Sequence, residues 1–319
     1  MSWFTFRFPD FAFSFLSILF EGIPFLLLGS LLSGAIDAFV PARVLTRFLP
    51  KNPNLAIVLS GLLGLIFPMC ECGSVVVIRR FIRKGLPISC AVTYMLGAPI
   101  VSPLVALSTF AAFRGQSPAV MTSLRMLLGF GIAVLVGFLV RFIPPEKLLQ
   151  QKVIDTLPGR RRTAFRIDPS GTAGDTIEAE MSGSASEKAL RALQSAASDF
   201  LDVAFFFVIG AAIAATFNTA INQQLILPLA ANPFGAILAM MLLAFVLALC
   251  SSTDAFIAAS FVTFPFAAKL AFLVFGPVFD VKLFFLYGAV FRRWFVVSLL
   301  IGLFLLIAVF SARMAVLNL

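Results

Sequence analysis

Cys70, Glu71 and Cys72 stand in a row within Phe67-Pro68-Met69-Cys70-Glu71-Cys72-Gly73-Ser74, between the apolar run Leu55 to Ile66 and the apolar stretch Val75 to Ile78. Two thiols one residue apart can close on one small guest. Thiolate sulfur prefers soft acceptors such as Cu(I) and Zn, and by the same logic trivalent arsenic or antimony. The carboxylate between them is an ionisable group in apolar surroundings, which marks a functional position by default. A related turn follows later, Leu249-Cys250-Ser251-Ser252-Thr253-Asp254. Asp254 is costly at membrane depth unless it is paired, hydrated or held at a helix start. Two readings of it stay open: a helix cap, and a coupling site for a proton or cation. The substrate-binding set is therefore Cys70, Glu71, Cys72, Cys250, Ser251, Ser252 and Asp254, with Cys70, Cys72 and Cys250 as the metal-binding sulfurs. Coupling or gating falls to Asp254, to Asp280 and Lys282, and to the breaks at Pro99 and Pro277. Cys90 stands alone and reads as a small hydrophobe. No residue set reads as catalytic, and no cofactor is expected.

These residues need a scaffold, and composition says which. Hydrophobic residues make up 61% of the chain and charged residues 12%, with mean hydropathy +1.04. A soluble domain carries about twice that charge. Several windows reach the ~20 apolar residues that cross a bilayer. Long apolar runs, as opposed to short alternating ones, exclude a membrane barrel. The chain is thus an all-α integral membrane protein. Its net charge of +9 lies in short loops, where it signals topology, not nucleic acid. Histidine is absent, so protons must use carboxylates and soft ions must use sulfur. The four cysteines lie in or beside apolar segments, unlike a secreted disulfide framework. Glu21 and Pro24 interrupt the first apolar stretch, so it reads as a membrane helix divided at that point and not as a signal peptide.

In chain order, Pro41 to Pro53 is a loop with Arg43, Arg47 and Lys51. Leu55 to Arg83 reads as a re-entrant hairpin, or a helix whose end turns back, with Arg79, Arg80, Arg83 and Lys84 in its basic tail. Leu86 to Phe113 is broken at Gly97-Ala98-Pro99 and at Pro103. Ala119 to Ile143 spans, and its Arg125 reaches an interface or a partner. Residues 144–198 form a polar cytoplasmic linker, disordered in part, with a capping box at Ser184 and Glu187. In the second half Pro265 to Phe291 is broken at Gly276-Pro277, and Trp294 reads as an interface anchor. Residues 1–143 and 199–319 are two membrane repeats. Asn52 precedes Cys70 by the same interval as Asn232 precedes Cys250, and Pro87 precedes Pro99 as Pro265 precedes Pro277. Glu21 and Gly29 match Asp202 and Gly210; both acids read as structural and near an interface. The loops after the first and the re-entrant segments are basic in one half and uncharged in the other, which predicts inverted topology. Inverted repeats with broken helices meeting at the midplane are a transporter architecture.

Pro68-x-Cys70-x-Cys72-Gly73, Leu249-Cys250-Ser251-x-x-Asp254-Ala255-Phe256-x-Ala258-Ala259-Ser260-Phe261 and Phe275-Gly276-Pro277-x-x-Asp280-x-Lys282 resemble the bacterial predicted-permease family of the ArsP/YraQ type. The resemblance covers both membrane halves. It implies a multi-pass permease of the bacterial cytoplasmic (inner) membrane, with relatives that export trivalent organoarsenicals. Family members often have serine where this chain has Glu71, and the added charge favours a metal cation. The expected function is secondary transport of a small thiol-reactive metalloid or soft-metal species, not enzymatic chemistry. The alternatives are a membrane thiol oxidoreductase using Cys70 and Cys72, a permease for an unrelated solute, and a structural or partner-binding membrane subunit. The expected partners are lipid and the solute, with a homodimer as one assembly and no nucleic acid.

Overall fold

Prolines open several of the helices. Pro53, Pro103, Pro118 and Pro233 occupy first helical positions, where a missing N–H costs nothing. The computed structural model describes residues 7–39, 50, 52–67, 69–154, 185–220 and 232–316. Arg43, Arg47, Lys51, Pro68, most of the linker and the capping box at Ser184 lie outside the described residues. Among those described, the regular elements are all helices and there is no strand.

The first half comprises α1 (Phe8–Phe39), α2 (Pro53–Ile66), α3 (Glu71–Arg83), α4 (Ile88–Gly97), α5 (Pro103–Ala112) and α6 (Pro118–Val140). The second comprises α7 (Ala185–Ala220), α8 (Pro233–Leu247), α9 (Thr253–Ser260), α10 (Phe266–Val278), α11 (Val281–Gly288) and α12 (Arg293–Val316). Five stretches of the described chain are long and apolar enough to cross a membrane: Phe8–Ala35, Pro118–Val140, Ala192–Thr219, Phe266–Gly288 and Arg293–Val316. The others are shorter. The 14 residues of α2 reach about 21 Å, less than a ~30 Å hydrocarbon core. The interrupted pairs α2–α3, α4–α5 and α8–α9 therefore meet within the protein, where irregular backbone has partners.

Packing repeats between the halves. In the first, α4 lies against α2, α3 and α6; in the second, α10 lies against α8, α9 and α12. The most extensive contact joins α1 to α7; α1 also covers α3, and α7 covers α11. Both covers depend on a glycine. A Cβ on Gly29 would sit 3.0 Å from the Cα of Gly73, and one on Gly210 would sit 2.8 Å from the Cα of Lys282. These are the two matched glycines, and each brings its long helix onto the first turn of a short one.

Several expectations change. α1 runs unbroken through Glu21, Gly22 and Pro24, because a transmembrane helix tolerates the hydrogen bond that proline removes. The break expected at Gly276-Pro277 falls later: α10 continues to Val278, and the chain opens at Phe279-Asp280. Arg79, Arg80 and Arg83 are not loop charges. They belong to α3, where Arg79 meets Asp202 at 2.6 Å and Arg80 meets Asp199 at 2.6 Å. Arg80 also reaches Ser33 and Ser195, and Arg83 lies 3.4 Å from Asp199. Their charge is spent inside the protein, so it says less about sidedness than a free loop would. The linker's first residues are built into the fold too. Arg292 N–H donates to the Leu148 carbonyl and Gln150 N–H to the Val290 carbonyl, while Leu148, Leu149, Val153 and Ile154 are buried. Trp294 donates its indole N–H to the Lys147 carbonyl at 2.8 Å, so it anchors this segment.

Candidate functional site

The chain leaves α2 at Phe67 and re-enters helix at Glu71, with Cys70 as the N-cap. The Cys70 sulfur accepts the Gly73 N–H at 3.3 Å. It therefore sits at the positive end of α3, where backbone donors and the helix dipole stabilise an anion. Gly73 leaves room for the Phe25 carbonyl of α1, which would be 3.2 Å from a Cβ at that position. Glu71 and Cys72 point from the first turn of α3 into the protein, each 2% exposed.

The second half supplies the opposite wall. α8 ends at Leu247, and Ala248 takes a left-handed conformation at φ 49°. That conformation is strained for a residue with a Cβ. It turns two carbonyls toward Lys282, whose ammonium donates to Ala248 O at 2.9 Å and Leu249 O at 3.2 Å. The same ammonium donates to Glu71 Oε1 at 3.0 Å and lies 3.4 Å from Asp280 Oδ2. Asp280 caps α11 through Leu283 N–H at 2.7 Å. Lys282 thus ties the first turn of α3 to the second half. Glu71 Oε2 and Asp280 Oδ2 are buried without a hydrogen-bond partner.

Cys70, Glu71 and Cys72 share one small cavity with Cys250 and Lys282. Glu21, Gly22 and Phe25 of α1 close one side, and Phe207 of α7 another. The cavity volume is about 10 Å³, room for about one water molecule. Glu21 also accepts a hydrogen bond from the Thr253 hydroxyl at 2.9 Å, and Thr253 is exposed. Glu21, expected at an interface in a structural role, stands in this wall instead. Both halves therefore contribute to one polar, sulfur-lined space.

Asp254 lies outside this lining. Arg125, fully buried on α6, holds both its carboxylate oxygens at 2.9 Å and also donates to Thr109 Oγ1 and the Ser251 carbonyl. Arg125 was expected to reach an interface or a partner; it has a partner, this internal carboxylate. Both oxygens of Asp254 are occupied by Arg125. Ser252 donates to Cys250 sulfur at 3.7 Å. Pro99 lies in the turn after α4 and Pro277 in the last turn of α10, and neither lines the cavity. Cys90 is buried on α4, also away from it. Among the described residues, no three His, Cys, Asp or Glu side chains come together closely enough to hold a metal ion. Cys70, Cys72 and Cys250 border the same cavity without forming such a three-donor set.

Sequence reasoning missed the place of Glu21 in the cavity wall and the Asp199–Asp202 pair with the α3 arginines, and it left the partner of Arg125 unnamed. Glu21 carried a signal, since it matches Asp202 in the repeat. Arg125 carried another: a lone cation mid-span needs a buried anion.

The family model for predicted permeases, ArsP_1, matches residues 9–316, nearly the whole chain. The chain belongs to the ArsP_1 predicted permease family. Two relatives of this ArsP_1 chain agree. It is 36% identical over 287 residues to the UPF0718 protein YcgR of Bacillus subtilis (strain 168), covering 90% of each chain. It is 34% identical over 269 residues to a putative two-component membrane permease complex subunit of Streptococcus mutans serotype c, covering 84% of this chain and 82% of that one. No solved structure matches it. The ArsP_1 match spans both α3 and α9, so both turns of the site fall within the family region.

Proposed function

We propose that this ArsP_1-family protein is a secondary permease for a small thiol-reactive metalloid or soft-metal species, working outward. The family resemblance implies a trivalent (organo)arsenical within that class. The observation that carries the reading is the shared cavity: three thiols, two carboxylates and one ammonium, drawn from both halves of the chain. Soft acceptors bind sulfur, and a site walled by two halves can change its access when they rock against each other. The proposal includes residues 1–143 and 199–319 as inverted membrane repeats in the bacterial cytoplasmic membrane, with residues 144–198 joining them on the cytoplasmic side. The relative from Streptococcus mutans is named as a complex subunit. On that likeness a second, different subunit enters the proposal, with a homodimer as the competing assembly.

The test is uptake of arsenite, methylarsonous acid and Cu(I) into everted vesicles. Cys70→Ser and Cys72→Ser should lower uptake of the transported species at least about tenfold, the scale on which disturbing a metal-binding shell acts. Cys90→Ser should leave it unchanged. Full flux in both of the first two variants would remove the basis of the proposal.

A further inference from the structure

The cavity's donor set and size say more about the cargo than its sulfur content does. The Cys70 and Cys72 thiols line the same cavity. Cys70 sulfur already receives the Gly73 N–H at the start of α3, which fixes its position there. Glu71, between them and 2% exposed, lines the cavity and keeps Oε2 without a partner. An unpartnered buried carboxylate oxygen beside two thiols marks a place that receives positive charge.

Three classes of soft guest can be compared. Zinc takes four donors, almost always tetrahedrally, in structural sites; among the described residues not even three candidate side chains converge. A trivalent arsenic held by three sulfurs fails on the same count. An organoarsenical can be held by two sulfurs but brings a carbon group, which this cavity of about 10 Å³ would have to widen to admit. A bare monovalent soft cation needs two sulfurs in line and little more space than one atom.

We infer that Cys70 and Cys72 form a two-sulfur site for a monovalent soft cation of the Cu(I) or Ag(I) class. On binding, two S–H bonds break and two metal–sulfur bonds form. Two protons leave to water and no electron moves, so the cation and two thiols become a bis-thiolate of charge −1. Lys282, which lines the same cavity, supplies the compensating positive charge. Cys250 borders the cavity on the facing side and is not one of the two ligands. As a statement about cargo this rests on the permease reading; as a statement about binding it does not.

The test uses the purified, reduced full-length chain and Cu(I) titrated against a chromogenic Cu(I) chelator. The expected result is one Cu(I) per chain, with affinity reduced at least about a hundredfold by Cys70→Ser or Cys72→Ser, the upper end for damage to a metal site. Cys90→Ser should bind as the parent does. X-ray absorption should find two sulfur neighbours. Because the serine variants can misfold, alkylation of the parent is followed in parallel: Cu(I) should protect Cys70 and Cys72. A third sulfur neighbour lost in Cys250→Ser, binding indifferent to Cys70 and Cys72, or one-to-one capture of methylarsonous acid with no Cu(I) bound would each overturn the inference. Intact Cu(I) binding without flux would count against the permease reading alone. Arsenical flux without Cu(I) binding would count against this one alone.

Discussion

At the scale of residues, the two buried carboxylates near the short helix starts behave differently. Asp254 has both oxygens on Arg125, whereas Glu71 shares Lys282 with Asp280 and leaves one oxygen open. Asp254→Asn would leave a fully buried guanidinium without its anion. The expected loss is about 3–5 kcal/mol, read as a lower thermal midpoint in detergent. Glu71→Gln leaves Lys282 with Asp280 and two carbonyls, so its midpoint should fall by much less. Equal losses in the two variants would refute the distinction. Ala248 offers a test of opposite sign. Glycine takes a left-handed conformation without strain, so Ala248→Gly should raise stability by about 1 kcal/mol. The thiols and Glu71 were legible in the sequence because chemistry clustered in an apolar run. The Arg125 pairing was not, because its partner is 129 positions away and no local pattern links them.

The elements are placed by close backbone approaches and by charge. Gly29 and Gly210 let α1 and α7 sit on the first turns of α3 and α11. At Gly210 an added methyl would meet backbone, which cannot swing aside. Gly210→Ala should therefore cost about 1–3 kcal/mol, again as a shift in thermal midpoint; an unchanged midpoint would mean that α7 does not pack on α11 this closely. The far end of α3 is held by Arg79, Arg80 and Arg83 against Asp199 and Asp202 of α7. The short helix carrying Cys70 and Cys72 is thus fixed at both ends. Proline and glycine positions made the helix breaks readable. They misled at Pro24 and Pro277, where neighbouring helices support a backbone that local rules would interrupt. The basic residues after Val77 misled as well, since counting loop charge ignores anions arriving from a distant helix.

For the whole molecule, the halves are joined by crossed ion pairs. Glu71 of the first half meets Lys282 of the second, and Asp254 of the second meets Arg125 of the first. Spacing in the sequence predicts a repeat, and in each half a short helix packs against three neighbours. The paired spacing predicts both polar turns in one site; that Cys250 is the residue of the second turn lining the cavity depends on how the halves dock. The direct measurement is cross-linking by dibromobimane, a short thiol-to-thiol reagent, in Cys90→Ser protein held in lipid. The account predicts a fluorescent link within one chain between Cys250 and either Cys70 or Cys72. It also predicts that this link disappears in Cys250→Ser and abolishes metalloid or Cu(I) flux when formed. Labelling of all three thiols without any intramolecular link would contradict it.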